Sequence, residues 1–142
     1  MFIDITKFSR DKEGSAKLAA EVKKATGGPG AAAVVVCTAS NAAYGQGLDF
    51  LKFNGTMVAV GIPEGDVQPI ANADPAKFII RQLTVVGSAV GNRKEAIETM
   101  DMAARGIVKT HFKLEKMDKL TEVFKAMGEG KLQGRVVLDL SD

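Results

Sequence analysis

Two apolar runs of this chain stop at glycine. They are Asn54-Gly55-Thr56-Met57-Val58-Ala59-Val60-Gly61-Ile62-Pro63 and Val85-Val86-Gly87-Ser88-Ala89-Val90-Gly91-Asn92-Arg93. A buried strand that ends in glycine lets another molecule approach its backbone closely, and in a parallel sheet such ends line the ligand crevice. That is binding chemistry, done by backbone groups and small side chains. Reactive side chains are scarce: there is one cysteine, Cys37, and one histidine, His111. A single cysteine excludes an internal disulfide and a cysteine-rich zinc site within one chain. Cys37 closes the apolar run that starts at Ala31, so a buried structural thiol is expected there. His111 is expected at the surface or half-buried, with an acid–base role second. Thr38, Ser40, Tyr44, Ser88 and His111 are the polar handles that a small apolar ligand could meet. They form no triad or carboxylate pair in sequence, so they name no reaction.

Composition sets the frame for these residues. Hydrophobic residues make up 46% and charged residues 25% of 142 residues, ordinary for one soluble globular domain, residues 1–142, with a real core. The net charge of +2, the absence of a basic block and only 6% aromatic residues give no case for nucleic acid. Charge within the first seven residues, Met1 to Lys7, argues against a signal peptide. No apolar run approaches the ~20 residues that span a membrane. A reducing, cytoplasmic setting fits these features.

The elements that must hold the glycine ends follow from periodicity. Met1 to Ile5 alternates like a short strand. Asp11 to Ala25 is amphipathic with helical spacing at Ala16, Leu18, Ala19, Val22 and Ala25, capped by Asp11 or Ser15 and ended by Gly27-Gly28-Pro29-Gly30. Ala31 to Cys37 reads as a strand buried on both faces. Ser40 to Phe53 reads as a helix with Ser40 as N-cap, weakened by Gly45 and Gly47. Thr56 to Val60 is a buried strand, and residues 63–69 form a loop. Asp74-Pro75 opens a helix to about Arg81. Leu83 to Ser88 is a strand. A helix follows from Asn92 or Arg93 to Arg105, ended by Gly106. Thr110 to Leu114 is extended, Met117 to Met127 is helical, and Gly134 to Leu140 is a final strand. Strands alternating with helices predict an α/β fold with a mostly parallel sheet.

Five pieces, in order, carry a resemblance. They are Phe2-Ile3-Asp4-Ile5-Thr6-Lys7, Asn54-Gly55-Thr56 with Val60-Gly61-Ile62-Pro63, Val86 to Arg93, Arg105-Gly106-Ile107-Val108-Lys109, and Lys131 to Val137. Together they resemble the cofactor domain of the medium-chain, zinc-dependent alcohol dehydrogenases of yeast and fungal type, over essentially the whole chain. The resemblance implies an NAD-binding, Rossmann-like sheet. It would place Val60 and Ile62 beside the nicotinamide and backbone groups of Ser88 and Val90 near its carboxamide. Arg135 would reach the cofactor phosphates, where a guanidinium suits an anionic pyrophosphate. Phe2 would lie on the adenine side, and Thr38 at the end of the family's fourth strand. Read without the resemblance, Val60, Ile62 and Val90 are equally core residues of a parallel sheet, and Arg135 is a solvated charge.

Parts of that family's pattern are not in this sequence. Gly-x-Gly-x-x-Gly between a first strand and a first helix is absent, and so is the acidic ribose residue ~20 positions later. Gly27 to Gly30 ends a helix instead. Cys37 and His111 do not fall at zinc-ligand positions, so zinc is not expected in this chain. Of the strand order 3-2-1-4-5-6, counterparts of 3, 4, 5 and 6 are expected and 1 and 2 are missing. Three outcomes are open. The chain is a fragment of a longer enzyme, or its first strand slides over to pair beside Val34, or a second subunit covers the bared edge. The resemblance further implies a homo-oligomer paired through the Leu83 to Val86 edge strand. Two functions are therefore carried forward. One is the nucleotide-binding portion of an NAD-dependent alcohol dehydrogenase, inactive as a dehydrogenase by itself. The other is a truncated, repurposed relative that binds a small molecule or catalyses a non-redox reaction.

Overall fold

A computed structural model describes residues 1–66 and 68–141; Val67, inside the expected loop, and Asp142 lie outside the described residues. The chain divides into two compact units, Met1–Val90 and Gly91–Asp142. The first unit holds helices α1 (Lys12–Ala25), α2 (Asn41–Phe50) and α3 (Pro75–Arg81) and strands β1 (Ala31–Val36), β2 (Leu51–Ala59) and β3 (Thr84–Gly87). The strands form one sheet of order β1-β2-β3. Both pairings are parallel, with Val34 opposite Met57, Val36 opposite Ala59, and Ala59 opposite Gly87. An α/β unit with a parallel sheet is therefore what the alternation predicted.

One small core holds this unit together. Leu48, Leu51 and Met57 are completely buried and pack with Val36, Tyr44 and Leu83. The glycines that weakened the expectation of α2 explain how it gets so close. A Cβ on Gly47 would stand 3.1 Å from the Met57 sulfur, and one on Gly45 would stand 3.0 Å from the Ala71 Cβ. These positions trade helix propensity for close packing. α1 is capped as expected by Asp11, whose carboxylate accepts from the Gly14 amide at 2.7 Å and the Ser9 hydroxyl at 2.8 Å. Those two bonds, the Gly14 one first, hold the Asp11 carboxyl below its ordinary pKa.

Four expectations are corrected here. Met1 to Ile5 is not a strand. Ile5–Lys7 forms a 3-10 turn capped by Asp4, and Phe2 is 87% exposed. A strand exists by pairing, and no strand of the sheet takes this segment as a neighbour, so it does not slide to the side of β1. β1 is not buried on both faces. Val36 is buried and Val34 half-buried on the face that α2 packs against, while Ala33 and Val35 alternate onto the opposite face and are exposed. Cys37 is exposed, since it stands one residue past the end of β1. The helix expected to run to Phe53 stops at Phe50. There Arg81, at the end of α3, donates its guanidinium protons to the Leu48 carbonyl, one of those the finished helix leaves unpaired, and to the carbonyl of Leu51 just past its end. Pairing is irregular from there, with Ala31 opposite Leu51 but Ala33 opposite Thr56, so the expected strand start at Thr56 marks where regular pairing begins.

The second unit holds α4 (Arg93–Ala104), β4 (Phe112–Lys116), α5 (Leu120–Gly128) and β5 (Arg135–Asp139). α4 starts in a capping box. The Asn92 side-chain oxygen Oδ1 accepts from the Lys94 and Glu95 backbone amides, and the Glu95 carboxylate accepts from the Asn92 backbone amide at 2.6 Å. A turn of 3-10 helix, Met117–Lys119, leads into α5. β4 and β5 pair in parallel as a two-stranded sheet, with Phe112 opposite Arg135.

Candidate functional site

Parallel pairing in the first unit brings all three strand ends to one edge. Val36, Ala59 and Gly87 are neighbours across the sheet, and the residues that follow them emerge side by side. Backbone bonds tie the ends together. The Val60 and Gly61 amides both donate to the Val36 carbonyl, at 3.1 and 2.9 Å, and the Ser88 amide donates to the Ala59 carbonyl at 2.9 Å. Thr38, Val60, Ile62 and Ser88 therefore share this edge, with Val90 two residues beyond Ser88. All five are exposed. Val60 is 43% and Ile62 81% exposed, and Val90 is fully so with a positive φ of 30°. The core reading of Val60, Ile62 and Val90 is thereby corrected: all three lie beyond the last paired rung, Ala59 with Gly87, and are exposed. Phe2 lies in the exposed segment ahead of the Ile5–Lys7 turn, and Arg135 opens β5 of the second unit.

The two glycine ends differ. A Cβ on Gly61 would lie 2.4 Å from the Thr38 carbonyl oxygen and 2.8 Å from the Cys37 carbonyl carbon. The molecule that approaches this glycine is the chain itself. At Gly87 a Cβ would meet nothing within 4 Å, so that backbone stands open to an incoming group.

Of the polar handles, Ser88 and Thr38 stand free at the edge. Ser40 sits at the N-cap position of α2 without a side-chain cap bond, and His111 is exposed just ahead of β4. Tyr44 is spoken for, because it is 7% exposed and its hydroxyl donates to the Gly61 carbonyl. Asn41 was missed by sequence reading. Its amide nitrogen donates to the Asp66 carbonyl at 3.1 Å and its oxygen accepts from the Gln68 amide at 3.2 Å. These partners lie 25 and 27 residues away, and no local pattern announces them. A separate open groove of about 550 Å³ runs between the Ile5 to Arg10 segment and α2, with Phe8, Arg10, Ser15, Gln46 and Asn72 on its walls. Among the described residues no three histidine, cysteine, aspartate or glutamate side chains converge to hold a metal. No helix among them is long and apolar enough to cross a membrane.

Comparison with known proteins points one way. The family described as zinc-binding dehydrogenase matches residues 5–105. Alcohol dehydrogenase 2 of Emericella nidulans is 62% identical over 99% of this chain, and alcohol dehydrogenase 1 of the same organism is 34% identical over 99%. The chain spans 38% of the length of each of these two relatives. The crystal structure of an alcohol dehydrogenase from Aeropyrum pernix superposes with a TM-score of 0.73 at 25% identity, covering 85% of this chain and 34% of that one.

Proposed function

From the premise that this chain belongs to the zinc-binding dehydrogenase family, we propose that it forms the nicotinamide-facing part of the nucleotide-binding region of an NAD-dependent alcohol dehydrogenase. The observation that carries the reading is the shared edge of Thr38, Val60, Ile62 and Ser88 beside the open backbone of Gly87. Val60 and Ile62 offer apolar contact that excludes water from one side of a flat ring. The unhindered backbone at Gly87 leaves room for a carboxamide, and the exposed Ser88 hydroxyl offers it a hydrogen-bond partner, the Ser88 amide itself being engaged by the Ala59 carbonyl. Bound NAD would supply the hydride acceptor. The residues present fit that end of the dinucleotide and not the pyrophosphate, since the Gly-x-Gly-x-x-Gly turn is absent from the sequence. They do not fit a catalytic zinc, given one cysteine, one histidine and no converging cluster among the described residues.

The consequence is binding without turnover. Titrating the 142-residue chain with NADH, followed by fluorescence and calorimetry, is expected to give saturable but weak binding and no alcohol oxidation. Absence of binding at millimolar NADH would sink the cofactor reading. It would favour the repurposed small-molecule protein, for which the groove beside Phe8 and Arg10 is the supporting observation.

The same reading includes a homo-oligomer. Among the described residues β3 pairs only with β2, and all four residues of β3 are exposed, so its far edge offers backbone groups to a second copy. Sedimentation is expected to show a dimer that Val85→Lys converts to monomer, because a charge on an edge strand opposes pairing. A wild-type chain that stays monomeric at high concentration removes this part of the proposal.

A further inference from the structure

The edge of strand ends is held from behind by two side chains at the start of α2. Tyr44 reaches the Gly61 carbonyl, and Asn41 bonds Asp66 and Gln68 within the loop that follows. Asn41 and Tyr44 line an open pocket of about 140 Å³ together with Pro63, Gln68 and Ile70. Beside that pocket their three hydrogen bonds tie the segment beyond Gly61 to α2. The opposite side of the same segment is fixed through the Val60 and Gly61 amides on Val36 and the Glu64 amide on Ala39.

We infer that Asn41 and Tyr44 are positioning residues: they set the place of the Val60 to Pro63 tip and its following loop for the ligand that lies against Val60 and Ile62. The inference rests on the cofactor reading for the identity of that ligand and on the bonds above for the latch itself. Tyr44→Phe keeps the ring that fills the core and removes only the hydroxyl. Asn41→Ala removes both loop bonds and leaves the core alone.

Residue-resolved amide exchange and NADH titration on the full chain test the proposal. Each variant is expected to speed exchange about tenfold at Gly61, Glu64 and Gln68, the order expected from the net worth of one or two lost hydrogen bonds. Exchange in the α1 amides and at Met57 stays at the wild-type rate, and the dissociation constant for NADH rises about fivefold to tenfold. Unchanged exchange across residues 61–68 in both variants overturns the latch. So does faster exchange spread evenly over the first unit, which would make the two residues merely structural. Local loosening with unaltered NADH affinity overturns the positioning role. A wild-type chain that does not bind NADH removes the cofactor reading. The exchange pattern, read without ligand, still decides the latch.

Discussion

Leu48→Ala is expected to unfold the first unit or bring it close to unfolding. Leu48 is completely buried and stands where α2 presses on the sheet, in contact with the cluster of Val36, Tyr44, Leu51, Met57 and Leu83. Removing its isobutyl end loses transfer free energy and leaves a cavity, together about 3–5 kcal/mol. A small domain holds only about 5–15 kcal/mol in all. The described buried hydrophobics are just Leu18, Ala19, Val36, Tyr44, Leu48, Leu51, Met57 and Leu83, so little remains to absorb the loss. α2 also carries Asn41 and Tyr44, and the strand-end edge is therefore expected to disorder with it. Urea unfolding followed by circular dichroism reads the effect. Leu48→Met, similar in volume, is the control and should cost less than about 1.5 kcal/mol. A Leu48→Ala midpoint equal to wild type would show that this cluster is not what holds the unit.

The second large effect is expected from a single added methyl. In Gly61→Ala the new Cβ falls 2.4 Å from the Thr38 carbonyl oxygen and 2.8 Å from the Cys37 and Thr38 carbonyl carbons. All three are backbone atoms, so no side chain can swing aside. Either the end of β1 or the end of β2 must move, at a cost of about 1–3 kcal/mol for an overpacked site. The two Val36-directed bonds at Val60 and Gly61 are the first to lengthen. NADH affinity is expected to fall at least tenfold, with a modest drop in melting temperature. Gly87→Ala is the contrast. Its Cβ meets no protein atom within 4 Å, so its melting temperature should stay at the wild-type value while ligand affinity falls. Equal thermal stability of Gly61→Ala and wild type would mean that the strand ends are not pressed together as described.

How much of this was legible in the sequence depends on the range of the interaction. The alternation of β-branched runs with helical spacing is a local signal, and it located β1, the regular part of β2, β3 and α1 through α5. The Asp11 and Asp74 caps are local too, since each bonds an amide three residues on. The failures all involve a partner distant in sequence. Met1 to Ile5 has strand-like alternation but no strand to pair with. Ala31 to Cys37 reads as buried, yet burial of an apolar run depends on what packs over each face of it, and α2 packs against the Val34 and Val36 face of β1 while Ala33 and Val35 are exposed on the other. The end of α2 at Phe50 depends on Arg81, more than a helix length later in the chain. At the site, the glycine at position 61 was visible, but its reason was misread: close approach by Thr38 of the same chain looks identical, in sequence, to close approach by a ligand.

The order β1-β2-β3 has a consequence for how the first unit is made. Position in the sheet equals position in the chain, so no strand must be threaded between two already paired. Each rung, Val34 to Met57 and then Met57 to Val85, closes a loop spanned by one helix and its turns. Loop closure at that modest, repeated length keeps the entropic barrier of each addition small and similar. The sheet can therefore extend from one side as residues leave the ribosome. β1 and α2 would wait only for β2, and Arg81 would reach back to close off α2 just before β3 completes the row.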